Sequence, residues 1–243
     1  MSKKSVLAVV IAVVVVVVVG GGLWWFLRND APQQVSLSAA TEQVEAADGA
    51  TGSTTTPGSV DGTWDLDIET GTFDYTSATG SFAGFRVEEE LANIGSTTAV
   101  GRTGEVTGSL TIAGNQLTAA EFTVDMTSIT TDEARRDNRV QQALETEQFP
   151  TATFTLTEPV DLGSGAASGS PVSATATGEF TAHGVTRSVQ VPIEAQLVDG
   201  TIVVVGSFSI LFTDYGVTPP SAPIVLSVAD NATVEFQLLF VKP

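Results

Sequence analysis

Residues Val189–Ile210 read VQVPIEAQLVDGTIVVVGSFSI. Val189, Val191, Ile193, Ala195 and Leu197 fall on one side of an alternating pattern, with Gln190, Glu194 and Gln196 on the other. After Asp199-Gly200 the alternation resumes with Ile202, Val204, Gly206, Phe208 and Ile210. A period of two marks a strand with one buried face, and an Asp-Gly pair between two such runs is among the strongest hairpin signals. The stretch predicts two antiparallel strands joined by a tight turn, and with them a fold built on local β pairing.

The pattern recurs on both sides. Trp64, Leu66 and Ile68 alternate with Asp65, Asp67 and Glu69; Phe85 and Val87 lead to Leu91; Val106, Leu110 and Ile112 precede Phe122, Val124 and Met126. Ala174, Ala176, Gly178 and Phe180 come before the hairpin, and Val234, Phe236, Leu238 and Phe240 lie near the end of the sequence. Turn signals at Ala113-Gly114-Asn115, His183-Gly184 and Asp230-Asn231 separate the runs. Thr131 to Glu147 departs from the pattern: it is rich in helix formers, and a Thr followed by acidic residues suits a helix start. About eight meandering strands with one inserted helix predict an all-β, antiparallel barrel, because closure removes exposed strand edges. A two-sheet sandwich is the alternative.

A barrel of that size has an interior that is either filled by side chains or holds one small ligand. Several positions expected to face inward are small: Gly108, Ala174, Ala176, Gly178, Ala182, Ala195 and Gly206. Interleaved with Phe85, Phe122, Phe180, Phe208 and Phe236, they leave either an apolar space lined by aromatics or a tightly interdigitated core. Periodicity alone leaves both open.

Composition narrows the functions. The chain of 243 residues has 10 Lys+Arg against 28 Asp+Glu, one His and no Cys. Without cysteine there is no disulfide framework, thiol nucleophile or Cys-ligated metal. So few cations leave no footprint for a phosphate backbone, so no nucleic-acid partner is expected. No cofactor is expected either.

Val6 to Leu27 is an uncharged apolar run, long enough as a helix to span a hydrocarbon core of about 30 Å. Lys3 and Lys4 precede it, so the positive-inside bias predicts a cytoplasmic N-terminus and an extracytoplasmic remainder, with Trp24 and Trp25 at the outer interface. The expected organisation is a cytoplasmic tip and transmembrane anchor at 1–28, a disordered linker at 29–58 rich in Ala, Ser, Thr, Glu and Gly, and a barrel domain at 59–243. The protein is thus expected in the cell membrane as a single-pass protein; a cleaved secretory signal is the competing reading and exports the domain equally.

Two stretches carry more than pattern. Arg136-Asp137-Asn138-Arg139, continuing to Leu144 and then to Phe149-Pro150-Thr151-Ala152-Thr153-Phe154, resembles the R-D-x-x-(L/V) and F-P-x-(A/I)-x-F elements of YceI-like proteins. Gly178–Val189, including Thr181, His183, Gly184, Val185, Thr186 and Arg187, is similar to that family's G-x-L-T-x-H-G-V-T-R-x-V hairpin. Asp214-Tyr215-Gly216 resembles a third element, with Leu211 or Phe212 where the family usually has Arg. The resemblance runs from about Ser59 to Val241. It implies a lipocalin-like barrel in an exported bacterial envelope protein, with an elongated cavity for an apolar isoprenoid or other lipid chain. The cavity wall expected on that basis is Phe85, Val87, Phe122, Val124, Phe154, Phe180, Val191, Phe208 and Phe236, and the motif residues Arg136, Asp137, Phe149, Pro150, His183, Gly184, Thr186, Arg187, Asp214 and Gly216 are expected to be structural. One departure stands out: Phe82–Glu90 lacks the His that the family's opening strand usually carries.

Other chemistry has little to work with. His183 is the lone imidazole and sits at a turn, so no catalytic residue is expected. Asp65, Asp67 and Glu69, like Glu88 to Glu90, could offer carboxylates to calcium, but lack an EF-hand loop and read as solvated faces, so no metal is expected. Arg136 and Asp137 are expected to anchor the helix to the barrel. Asn231-Ala232-Thr233 matches a glycosylation sequon and reads as a turn. A filled barrel would instead make the domain an interaction module acting through its acidic faces, and a homodimer through free strand edges is left open.

Overall fold

In the computed structural model, residues 31–48, 59–92, 95–220 and 225–243 are described. A helix, α1 (Leu37–Asp48), precedes a run of antiparallel strands: β1 (Gly62–Leu66), β2 (Phe82–Leu91), β3 (Gly95–Thr103), β4 (Val106–Ala113) and β5 (Gln116–Asp125). A second helix, α2 (Ala134–Ala143), is followed by β6 (Thr151–Leu156), the short β7 (Val160–Asp161), β8 (Val172–Ala182), β9 (Val185–Val198), β10 (Thr201–Leu211), β11 (Val225–Val228) and β12 (Asn231–Val241).

The Val189–Ile210 alternation forms the β9–β10 hairpin, with Val198 opposite Thr201. Asp199 and Gly200 both take positive φ, 47° and 88°, as a turn matched to strand twist requires. The strands β1-β4-β5-β6-β8-β9-β10-β12 follow one another round a ring, closed where Asp65 and Leu66 of β1 pair with Val241 and Phe240 of β12. The fold is thus an eight-stranded antiparallel barrel, and the sandwich alternative falls. β2 pairs with the other half of the same edge of β12, Phe85 opposite Val234, and carries β3 and β11 outside the ring.

The eight alternating runs of the sequence are all strands, but they are not the eight staves. β2 branches off the ring, and its place is taken by β6, whose Thr-Ala-Thr-Phe-Thr-Leu sequence alternates in size rather than in polarity. Threonine is β-branched and suits a pleated surface although it adds little hydrophobicity. β3, with Gly95-Ser96-Thr97-Thr98 at its start, is legible only through its partner β2.

The expected linker is corrected in part. Its middle portion is α1, where Leu37, Ala40 and Val44 share one face and are buried on Val198, Val203, Val205 and Leu239 on the outside of the barrel. A stripe at spacings of three and four is enough to bury a short helix when the opposing surface is itself apolar. Ahead of it, Arg86 donates to the Pro32 carbonyl and Arg102 Nη2 to the Gln33 carbonyl at 2.7 Å. Both guanidiniums also grip Glu235, at 2.6 and 2.7 Å, and all three side chains are buried, Glu235 to 1% exposure. Residues 31–48 are therefore part of the wall. Among the described residues the barrel accordingly carries two α-helices rather than one. The expected transmembrane segment at 6–27 lies outside the described residues; among those described, no helix is long and apolar enough to cross a membrane.

Candidate functional site

The inner face of the barrel encloses a cavity of about 130 Å³. It runs from Ile112, Leu117 and Ile202 at one end to Val124, Ala152 and Phe208 at the other, and its wall is almost wholly hydrocarbon. Strand parity puts these residues there: Val234, Phe236, Leu238 and Phe240 of β12 all point inward.

The lumen is narrow because aromatic rings lie over glycines. The Phe236 ring covers its register partner Gly206 so closely that an added Cβ would sit 2.4 Å from it, and Phe154 covers Gly178 at the same distance. Small and large residues thus interlock between adjacent strands, and the space left is a thin channel. Phe122 stacks near Phe154 at 6.4 Å, and the edge-on pair Phe180–Phe208 at 5.2 Å narrows the α2 end.

Beyond that end lies a second, wider cavity of about 360 Å³. Val87 and Leu91 of β2, Val140 and Leu144 of the α2 segment, and Val217 and Pro219 give it apolar walls; Arg135, Arg136, Arg139, Glu89 and Glu133 give it a charged rim. The two spaces lie end to end along the same face of β2, since Ala83 lines the lumen while Phe85, two residues on, lines the mouth. They meet where Phe85 pairs with Val234, one residue on each cavity.

Among the expected wall residues, Phe122, Val124, Phe154, Phe180, Val191, Phe208 and Phe236 line the lumen. Phe85 and Val87 do not: they line the mouth, because β2 leaves the ring. The mouth itself was not legible as a cavity; the signal that points to it is Arg135 and Arg139, one helical turn apart.

The motif residues gather at the α2 end and hold it together. His183, in a left-handed turn at φ 50°, meets the Tyr215 carbonyl through Nδ1 at 2.9 Å and packs edge-on against Phe149 at 4.8 Å. Gly184 leaves room for the same Phe149 ring, 2.5 Å from where a Cβ would be. Arg187 donates to the Asp214 carbonyl at 3.1 and 3.2 Å, Gly216 ends that turn at φ 67°, and Thr186 bonds Thr181 across the hairpin at 2.8 Å. The Pro150 carbonyl accepts from Met126 N–H at 2.8 Å. Burial pushes the Tyr215 hydroxyl above its ordinary pKa, so it stays a neutral packing group. Arg136 anchors the helix as expected, pairing with Glu89 of β2 at 3.1 Å and with Asp132. Asp137 does something else: its carboxylate accepts from Thr131 N–H and Oγ1 at 2.6 and 2.7 Å and locks the entry to α2. Glu88 and Glu90 accept from Thr98 and Ser96 at 2.8 Å on the exposed side of β2, whereas Glu89 is held by Arg136 and Asp67 is buried with its carboxylate on the Glu69 and Thr70 amides, so neither acidic stretch is a solvated face throughout.

Residues 64–240 match the model of the YceI-like domain. The chain belongs to the YceI-like family. Solved structures with the same barrel include a polyisoprenoid-binding domain from Saccharophagus degradans implicated in plant cell wall breakdown, with TM-score 0.54 and 20% identity over 74% of this chain and 98% of that one. BcnA of Burkholderia cenocepacia superposes with TM-score 0.53 and 17% identity over 72% and 99%. At these identities the likeness concerns the fold. No curated protein matches the sequence.

Proposed function

We propose that this YceI-like barrel is a binding protein that takes up a long apolar chain, such as an isoprenoid or other lipid, in its lumen. The observation that carries the reading is a lumen inside the barrel walled almost wholly by hydrocarbon, whose α2 end adjoins a wider mouth. Burial of a chain there is driven by about 25 cal/mol per Å² of apolar surface removed from water. As it stands the lumen has room for a group about the size of benzene, so a longer chain enters by swinging aside the rings that lie on Gly178 and Gly206. The Saccharophagus degradans domain with the same fold, described as polyisoprenoid-binding, supports the choice of ligand class.

We further propose that residues 6–27 hold the protein in a bacterial cytoplasmic membrane with the barrel on its outer face. Pro32 and Gln33 are bonded to Arg86 and Arg102 on the outer wall, level with the junction of lumen and mouth. The reading in which the barrel is filled and serves as an interaction module draws on the same narrow lumen, and one experiment separates the two. Thermal unfolding of the full chain should shift upward with added farnesol, and more with longer prenols, because a ligand that binds only the native state stabilises it. Ala176→Phe, which plugs the lumen from β8, should keep the fold and abolish the shift. No stabilisation by any prenol would sink the lumenal reading and favour the module.

A further inference from the structure

Among the described residues, every side chain that lines the lumen stands on a strand, except Leu162. Ladder hydrogen bonds fix the strand residues and with them the width of the lumen. Leu162 follows β7 on a loop and lies at the end remote from the mouth, beside Ile112, Leu117 and Ile202. The loop is held firmly there. β7 sets Val160 opposite Leu117 and Asp161 opposite Gln116, and Val160 is buried in the core. Leu162 N–H donates to the Asn115 carbonyl at 2.9 Å, and the Asp161 carboxylate accepts from Gly163 N–H at 2.9 Å. Gly163 takes φ 69°, a left-handed turn that carries the backbone away directly after Leu162. Ala166 and Ala167, further along the same loop, pack on the core and complete the closure.

Ile202 and Phe208 both line the lumen, and the β10 segment between them gives it a depth of about 15 Å for a strand tilted as in small barrels. That is about the reach of an extended farnesyl chain. A chain entering from the mouth therefore meets Leu162 with its far end. We propose that Leu162 is the chain-length stop of the lumen: it fixes how much apolar chain the barrel can bury, while the aromatic rings fix how wide that chain can be. This rests on the lumenal reading above and adds length selectivity to it. Methylenes beyond the stop gain no burial, because the paired strands on every other side give way only at the cost of overpacking. Leu162 is itself only half-buried, so changing it alters the end of the lumen more than it alters the fold.

The test uses the full chain in phosphatidylcholine nanodiscs and three prenols of increasing length: geraniol, farnesol and geranylgeraniol. Affinities of each variant are read as ratios to the unmodified protein at each length, so partition of the prenol into lipid cancels. Leu162→Ala should leave geraniol unchanged, since that chain stops short, and should bind geranylgeraniol about tenfold tighter, the worth of about two more buried methylenes. Leu162→Phe should also leave geraniol unchanged and should weaken farnesol and geranylgeraniol about tenfold. Unchanged geraniol binding reports an intact barrel in both variants. Ratios near one at every length, or ratios that shift equally at all three lengths, overturn the stop and leave the lumenal reading standing. Binding of none of the three prenols by the unmodified protein overturns both.

Discussion

The inner face of β12 presents Val234, Phe236, Leu238 and Phe240 to the lumen, whereas its outer face presents Glu235, Gln237 and Leu239 to α1 and the segment ahead of it. Both faces are covered, yet only the inner one keeps empty space beside it. On the outer face Leu239 is fully buried against the Val44 side of α1, Gln237 donates to Gln43 and to the Gly80 carbonyl at 3.3 and 3.0 Å, and Glu235 is held by two arginines. One strand thus divides its labour by parity: odd positions fasten the wall and even ones shape the cavity. Stability and ligand capacity are therefore separable by single substitutions on neighbouring residues.

The largest effect should come from the outer face. Glu235→Ala strands two buried guanidiniums and is expected to cost about 3 to 5 kcal/mol in urea unfolding, with ligand capacity per folded molecule unchanged. Val44→Ala, which thins the contact between α1 and the outer wall of the barrel, should cost about 2 kcal/mol and speed amide exchange in residues 37–48 before the strands. Next on the inner face, Phe236→Leu uncovers Gly206 beside space that is already empty and should cost only about 1 kcal/mol, while changing the preferred prenol length. Equal losses of stability and of binding at Glu235 and Phe236 would break the division between the faces.

The sequence showed strand parity well and coverage poorly. Val189–Ile210 and the C-terminal run fixed the inward residues because the side-chain period of a strand admits one face at a time. What covers the outer face is not encoded in that period: Glu235 reads as a solvent residue by alternation, and only the docking of Pro32 and Gln33 on Arg86 and Arg102 makes it an interior one. The seven lumen residues foreseen on β5, β6, β8, β9, β10 and β12 follow from parity together with family resemblance, while Phe85 and Val87 keep the right parity on a strand that leaves the ring. The mouth escaped because it is assembled from segments far apart in sequence, β2, α2 and residues 217–220, and no local pattern reports such a meeting.

The most direct measurement is photo-affinity mapping. A prenol bearing a diazirine at the far end of its chain, added to the full-length protein in membranes and irradiated, should label lumen residues such as Phe122, Phe154 and Phe180, with excess unlabelled prenol competing. Labelling confined to the outer wall around α1, or labelling that prenol does not compete away, would contradict binding in the lumen.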